Sequence, residues 1–265
     1  MKISILLCTH RYGGCDMLFA GLEHQTFPKD DYELIWCDKL HKERKDLVYV
    51  WAKDNNINVI HFEPENKSNF HVHSSVLNEC LERATGEYCI VIGDYTFMPP
   101  DWIDIHYQYN KAGYCLSAPQ RIYGLPKLSL CLEHPISVFV ENFTPEIFKL
   151  LPQFQMDPKL NLKNGLLIDF HYCYNRNESF PTKFARNIGG WDENYNNRVG
   201  QSNLEFYLRL THEAGVKIAC DGRALIYRIM SYPIPPHTEF LSFETDATIN
   251  TMRYNELCKK YGVNP

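Results

Sequence analysis

Three polar side chains stand where an apolar run stops. Thr9 follows Ile3–Cys8, Asp38 follows Tyr32–Cys37, and Asp94 follows Tyr88–Ile92 with one glycine between. A hydroxyl and two carboxylates are hydrogen-bonding groups, so gathered in one crevice they would recognise a polar ligand. Aspartate also forms ordinary turns at strand ends, and that plainer reading stands beside the first. Metal chemistry has less support. His61, His71 and His73 are near neighbours in sequence, but His71 and His73 lie two apart and face different ways on a helix. None of the ten cysteines forms a C-x-x-C pair, which removes the usual zinc-ribbon and dithiol motifs.

The elements around these residues alternate. The runs at 3–8, 32–37, 58–62 and 88–92 are short and apolar, as strands buried on both faces are. Helical patterns separate them at 16–25, 43–55 and 71–84, the last with Val72, Val76, Leu77, Leu81 and Ala84 at three- and four-residue spacing. Pro99-Pro100-Asp101 opens a further helix. Strand and helix in alternation predict an α/β fold with a mainly parallel sheet and right-handed crossovers. Ligands of such sheets bind beyond the carboxyl ends of the strands, where Thr9, Asp38 and Asp94 fall. From about 118 to 164 six prolines interrupt any period, so excursions over the sheet are expected, with one short helix near 145–150. Beyond it, strands are expected at 166–170, 175–180, 216–220 and 224–227, and helices at 203–214 and 245–261.

Composition sets outer bounds. The 265 residues are 45% apolar and 22% charged, enough to bury a sizeable core. Formal charge is −5 and no basic run occurs, which disfavours tight non-specific nucleic-acid binding. The opening Met-Lys-Ile-Ser-Ile-Leu-Leu-Cys run is too short for a signal peptide or a membrane span, so a soluble, cytoplasmic, reduced protein is expected. No linker or composition shift marks a second domain, and 1–265 reads as a single domain with halves of about 1–118 and 119–265.

Four blocks in order resemble the GT-A glycosyltransferases, family 2 in particular. Ser4 to Arg11 is similar to SIIIPTYNR. Gln25-Thr26-Phe27-Pro28 with Tyr32 to Asp38 is similar to Q-T-x-P…YEIIVVD. Asn78, Ala84, Gly86, Glu87 and Tyr88 match the spacing of N-x-G-x-x-x-A-x-G-E-Y, and Gly93-Asp94-Tyr95 falls where the family has Asp-x-Asp. Asn177 to Phe180, Ile188 to Glu193, and Glu205 to Leu210 resemble N-x-S-F…GGFDE…EDxELxxRL. The resemblance implies a GT-A (nucleotide-diphospho-sugar transferase) fold and transfer of a sugar from a nucleotide sugar, UDP-linked by preference, to an acceptor hydroxyl with inversion. It places Thr9 with His10 and Arg11 at the base pocket and diphosphate, Asp38 on the base or ribose, and Asn78 in the donor half. Asp94 and Tyr95 would face the ribose and a metal-bridged diphosphate. Gly190, Trp191 and Asp192 would lie beside donor sugar or acceptor, and Glu205 would be the general base. Mn²⁺ or Mg²⁺ would be the cation.

Departures from the pattern open alternatives. One carboxylate stands where the family has two, and Ser202-Asn203 replaces the acidic pair ahead of Glu205. Arg228 occupies the place of a late histidine ligand, with His237 nine residues on as a substitute. Arg228 could instead neutralise phosphate directly. His10-Arg11 reads equally as a diphosphate contact or a solvated loop, Trp191 equally as core, and Glu205 equally as a solvated helix residue. A non-catalytic nucleotide-sugar or glycan binder of the same fold is the second functional reading. A nucleotidyltransferase would want a G-x-G-T-R-like loop, which 9–15 does not supply. The acceptor, whether glycan, protein or nucleic acid, is not legible.

Overall fold

The structure, a computed structural model, describes residues 1–65, 73–124, 134–139, 143–174, 176–196, 200–230 and 248–265. In chain order the elements are β1 (Ile3–Thr9), α1 (Cys15–Glu23), β2 (Tyr32–Asp38), α2 (His41–Asp54), β3 (Asn58–Phe62), α3 (His73–Arg83), β4 (Tyr88–Ile92), β5 (Thr96–Phe97), α4 (Trp102–Lys111), β6 (Tyr114–Ser117) and β7 (Gln120–Gly124). There follow β8 (Gln153–Met156), β9 (Leu166–Ile168), β10 (Asn177–Pro181), α5 (Thr182–Asn187), α6 (Ser202–His212), β11 (Lys217–Cys220), β12 (Ile226–Met230) and α7 (Thr248–Tyr261). Short 3₁₀ turns join several of them, including Pro145–Lys149 where a short helix was expected.

The main sheet has eight strands in the order β3-β2-β1-β4-β10-β6-β11-β9. The strands β3, β2, β1 and β4 run parallel, with Thr9 in register with Asp38. The strand β10 is antiparallel to both β4 and β6, with Asn177 opposite Ile92. A smaller sheet, β5-β12-β7-β8, is built largely from the proline-rich middle, for which sequence periodicity predicted only excursions.

The continuous apolar runs are explained by burial on both faces. Ile3, Ile5 and Leu7 of β1, with Tyr32, Leu34 and Trp36 of β2, pack against Leu18, Phe19 and Leu22 of α1, Val48 of α2, and Trp102 and Ile103 of α4. Leu6 and Ile35 point the other way, into a core with Leu77 and Leu81 of α3, Phe206 and Leu210 of α6, and Tyr254 of α7. A third cluster, Met17, Tyr95, Phe97, Tyr123, Phe148 and Ile229, seats the small sheet on α1. The nine described cysteines are free thiols, eight of them buried. Among the described residues no helix is long and apolar enough to cross a membrane.

Candidate functional site

The turn after β4 is the centre of the site. Asp94 accepts from Arg11 Nε at 2.8 Å through Oδ2, and from Arg11 Nη2 through Oδ1. Arg228 of β12 brings Nη2 to 3.8 Å from the same Oδ1. Burial pushes the Asp94 carboxyl up, but Arg11, then Arg228 and His10, outweigh it and hold it well below the usual carboxylate range. Arg176, just ahead of β10, is near enough to Asp94 and Arg228 to feel both charges. Side chains that follow β1 and β4, precede β10 and lie on β12 of the small sheet therefore meet beyond the carboxyl ends of β1 and β4. Arg176 was not singled out in the sequence, where it reads as the lead-in to a strand.

The loop ahead of α1 is shaped around this cluster. Arg11 lies over the ring of Tyr95, 4.6 Å from guanidinium carbon to ring centroid. The Tyr95 hydroxyl donates to the Tyr12 carbonyl, and Tyr95 itself has a positive φ of 56°. Gly14 has a φ of 80°, and a Cβ there would lie 2.9 Å from the Tyr95 ring, so only glycine allows the loop to close on it. Residues 134–139 cover the start of α1, where Ile136 O accepts from Cys15 N at 2.9 Å and Asp16 Oδ2 accepts from Val138 N at 3.1 Å.

Thr9 and Asp38 come together as expected, but beneath the surface. Trp36 Nε1 donates to Thr9 Oγ1 at 2.7 Å, and Thr9 donates to Asp38 Oδ1 at 2.8 Å. Asp38 also accepts from Leu40 N at 3.0 Å, meets His61 Nε2 at 2.9 Å, and pairs with Arg44 at 2.8 Å. Asp38 is fully buried with four partners, so it offers no oxygen to a base or ribose, and Thr9 has its hydroxyl likewise engaged. Neither side chain reaches the surface in this arrangement. Their work is to tie the ends of β1, β2 and β3 together. Arg44 continues the chain of contacts by donating to Arg11 O at 2.9 Å, which fixes the backbone of the site loop. In sequence Arg44 lies within the helical pattern at 43–55, beside Lys42, Glu43, Lys45 and Asp46.

The Gly-Gly-Trp block and Glu205 form a second group. Asn78 Oδ1 accepts from Trp191 N at 2.8 Å, and its Nδ2 donates to Trp191 O at 2.9 Å. Gly190 has a φ of 70° and a Cβ there would collide with Asn78 Oδ1. Trp191 is buried and stacks on Phe206 at 4.1 Å, so its ring belongs to the core, while the residue also borders the cavity described below. Glu205 is 2% exposed and both its oxygens are gripped by Arg209, with Nη2 to Oε2 at 3.0 Å. Arg209 also donates to Ile188 O at 2.5 Å and Gly190 O at 2.6 Å. Arg209 occupies both oxygens in this arrangement, so the base role expected of Glu205 would require that ion pair to open. Burial pushes its carboxyl up, partly offset by Arg209. Asn203, one residue into α6, donates to Tyr174 O at 2.9 Å. Asp192 remains part-exposed, its Oδ1 accepting from Asn194 N at 2.9 Å. It opens with Asn78, Glu193 and Glu205 onto a cavity of about 790 Å³ that α7 closes with Arg253, Glu256 and Lys260. No described contact joins this cavity to Asp94.

The described residues do not fit a divalent cation at Asp94. Both its oxygens face Arg11, and Arg228 and Arg176 flank it, so a dication would meet three guanidinium groups before a second carboxylate. Tyr95, read as a metal-side ligand, is buried and turned to Tyr12. Among the described residues no group of three His, Cys, Asp or Glu side chains is arranged to hold a metal. His237 lies outside the described residues. His61 meets Asp38, and His71 lies outside the described residues.

The architecture matches solved structures. S. aureus TarS 1-349 in complex with UDP aligns over 87% of this chain and 61% of its own, with a TM-score of 0.59 and 13% identity. GalNAc-T7 with UDP, GalNAc and Mn²⁺ aligns over 97% and 48%, with a TM-score of 0.63 and 12% identity. The mannosyltransferase PcManGT from Pyrobaculum calidifontis, with GDP-Man and Mn²⁺, aligns over 88% and 58%, at 0.54 and 12%. The chain has a GT-A-like glycosyltransferase fold. It spans about half to two thirds of the length of these three chains. No protein-family model and no curated protein matches it in sequence. In the GT-A fold the four ordered sequence blocks fall on β1, β2, the α3–β4 unit and the β10–α6 segment.

Proposed function

We propose that this chain transfers a sugar from a nucleotide sugar, with UDP-linked donors first in line, to an acceptor hydroxyl. The observation that carries the reading is the cluster of Arg11, Asp94, Arg176 and Arg228 at the carboxyl ends of β1 and β4 in a GT-A-like sheet. Ligands of open α/β sheets bind there, and guanidinium groups are suited to phosphate oxygens. In the reaction, the acceptor oxygen bonds to the anomeric carbon as the bond to the β-phosphate oxygen breaks. The bonding pair leaves on the phosphate, and the hydroxyl proton passes to a base. With Glu205 closed by Arg209, Asp192 is the base this reading puts forward, because it keeps solvent access on the far side of the Gly-Gly turn. A single displacement inverts the anomeric configuration, and the cytoplasm, where nucleotide sugars are made, suits the free thiols.

Two observations favour a second reading, a nucleotide-sugar binder without turnover: Asn203 is an amide, and Arg209 occupies both oxygens of Glu205. A donor screen separates the two. UDP or GDP released from UDP-GlcNAc, UDP-glucose or GDP-mannose above background supports transfer, with or without an added acceptor. Binding without release supports the second reading. A product of retained configuration counts against the single displacement.

A further inference from the structure

Arg228 is 6% exposed, and its Nε and Nη1 have no hydrogen-bond partner among the described residues. Two buried donors left without acceptors are costly, and native structures rarely keep them without a use. The third nitrogen, Nη2, stands 3.8 Å from Asp94 Oδ1, beyond hydrogen-bond reach. A Cβ on Gly93 would lie 3.6 Å from Arg228 Nε and 3.9 Å from Arg176 Cγ, so both side chains pass the same point at the end of β4. Arg11 holds the other side of Asp94. One carboxylate thus serves three guanidinium groups, and the cluster carries surplus positive charge. Burial, and then the neighbouring Arg176, work against the Arg228 charge. An anion entering the cluster would relieve both.

We propose that Arg228, with Arg176 and Arg11, binds the diphosphate of the donor directly and stands in place of a divalent cation. The inference rests on the nucleotide-sugar reading above. The unpaired Nε and Nη1 donors of Arg228 meet the phosphate oxygens, and Asp94 is a positioning residue that anchors Arg11. Neutralisation by fixed guanidinium groups supplies the charge that a metal would otherwise bring to the leaving diphosphate.

Calorimetric titration of the full chain with UDP and with GDP, in excess EDTA and again in Mn²⁺ or Mg²⁺, tests this. The expected result is binding in EDTA with an affinity within about threefold of that in metal, and a loss of at least roughly tenfold in Arg228→Gln, about 1.4 kcal/mol. Binding that needs metal overturns the inference and leaves the nucleotide-sugar reading standing. Binding by R228Q equal to that of the parent, in a variant with the parent's circular dichroism, overturns the assignment to Arg228. Should R228Q fail to fold, the parent's titrations with and without metal decide alone. No binding of any nucleoside diphosphate under either condition overturns the nucleotide-sugar reading itself.

Discussion

Glu205 and Asp192 carry the same functional group in different settings, and the settings separate their roles. Glu205 neutralises Arg209, which in turn holds the carbonyls of Ile188 and Gly190. Breaking a buried ion pair by removing one partner costs about 3 kcal/mol, because the other charge is left unpaired. Glu205→Ala should therefore lower the thermal midpoint in a melt, while nucleotide release per folded molecule persists. Asp192→Asn should do the reverse, abolishing release with the midpoint unchanged. If E205A melts normally and loses all turnover, the general-base assignment belongs to Glu205 after all. A related test falls on Gly190. An alanine there takes a left-handed φ and displaces Asn78 from Trp191. The strain is about 1–2 kcal/mol, and a lost hydrogen bond adds about 1. Urea denaturation of Gly190→Ala should show a loss of roughly 2–3 kcal/mol.

At the scale of elements, the cluster depends on where β10 begins. Asn177 opens that strand and is satisfied on every side. Its Oδ1 accepts from Trp102 Nε1 at 2.8 Å and meets His106 Nε2 at 3.1 Å, and its Nδ2 donates to Pro119 O and Ala224 O. This locks α4, the link between β6 and β7, and the approach to β12 to the residue beside Arg176. His106 is buried in this network, and burial pulls its pKa down to about 4. The unfolded chain protonates near pH 6.5, so between about pH 6.5 and 4 it binds a proton that the folded chain does not. Stability from this group is complete above the upper limit and falls as pH drops through the window, by up to roughly 1.4 kcal/mol per pH unit. Denaturant titrations over that range should show a shallower acid slope for His106→Gln than for the parent; equal slopes would count against it. Elements such as this were partly legible. The parallel strands β1, β2 and β4 stood out because both faces are buried, leaving runs of Ile, Leu, Val and Cys. The strands β6, β7 and β8 did not. They are four or five residues long, and their places are fixed by partners far along the chain: β6 pairs with β10 and β11 in the main sheet, and β7, which carries β8, pairs with β12 in the small one. Within the site, Asp94 and Arg228 were visible by position in the motif blocks. Arg44 and Arg176 were not, because nothing local distinguishes a buried arginine from a solvated one until its carboxylate partner arrives from elsewhere in the chain.

For the whole molecule, the cluster is a joint. Arg11 belongs to the loop after β1, Asp94 to the turn after β4, Arg176 to the start of β10, and Arg228 to β12 of the small sheet. The two sheets also meet through the aromatic cluster of Tyr95, Phe97, Tyr123 and Phe148 on α1, and through Ile226 of β12, which packs with Ile5 of β1 and Ile90 of β4 in one core. An anion seated between the arginines would link both sheets through contacts that the free chain lacks, and it would cancel a local repulsion in a chain whose net charge is −5. A ligand that binds only the folded state at about a hundred times its dissociation constant adds about 2.7 kcal/mol of stability. Saturating UDP or GDP should accordingly raise the melting temperature. It should also slow amide exchange together in 10–14, 93–97 and 226–230, although 10–14 follows a strand of the main sheet and 226–230 belongs to the small one. Protection confined to 10–14 and 93–97 would mean that β12 takes no part and that Arg228 does not reach the ligand. In R228Q the protection at 226–230 should be lost first, because the small sheet would then be held to the nucleotide by no charge of its own.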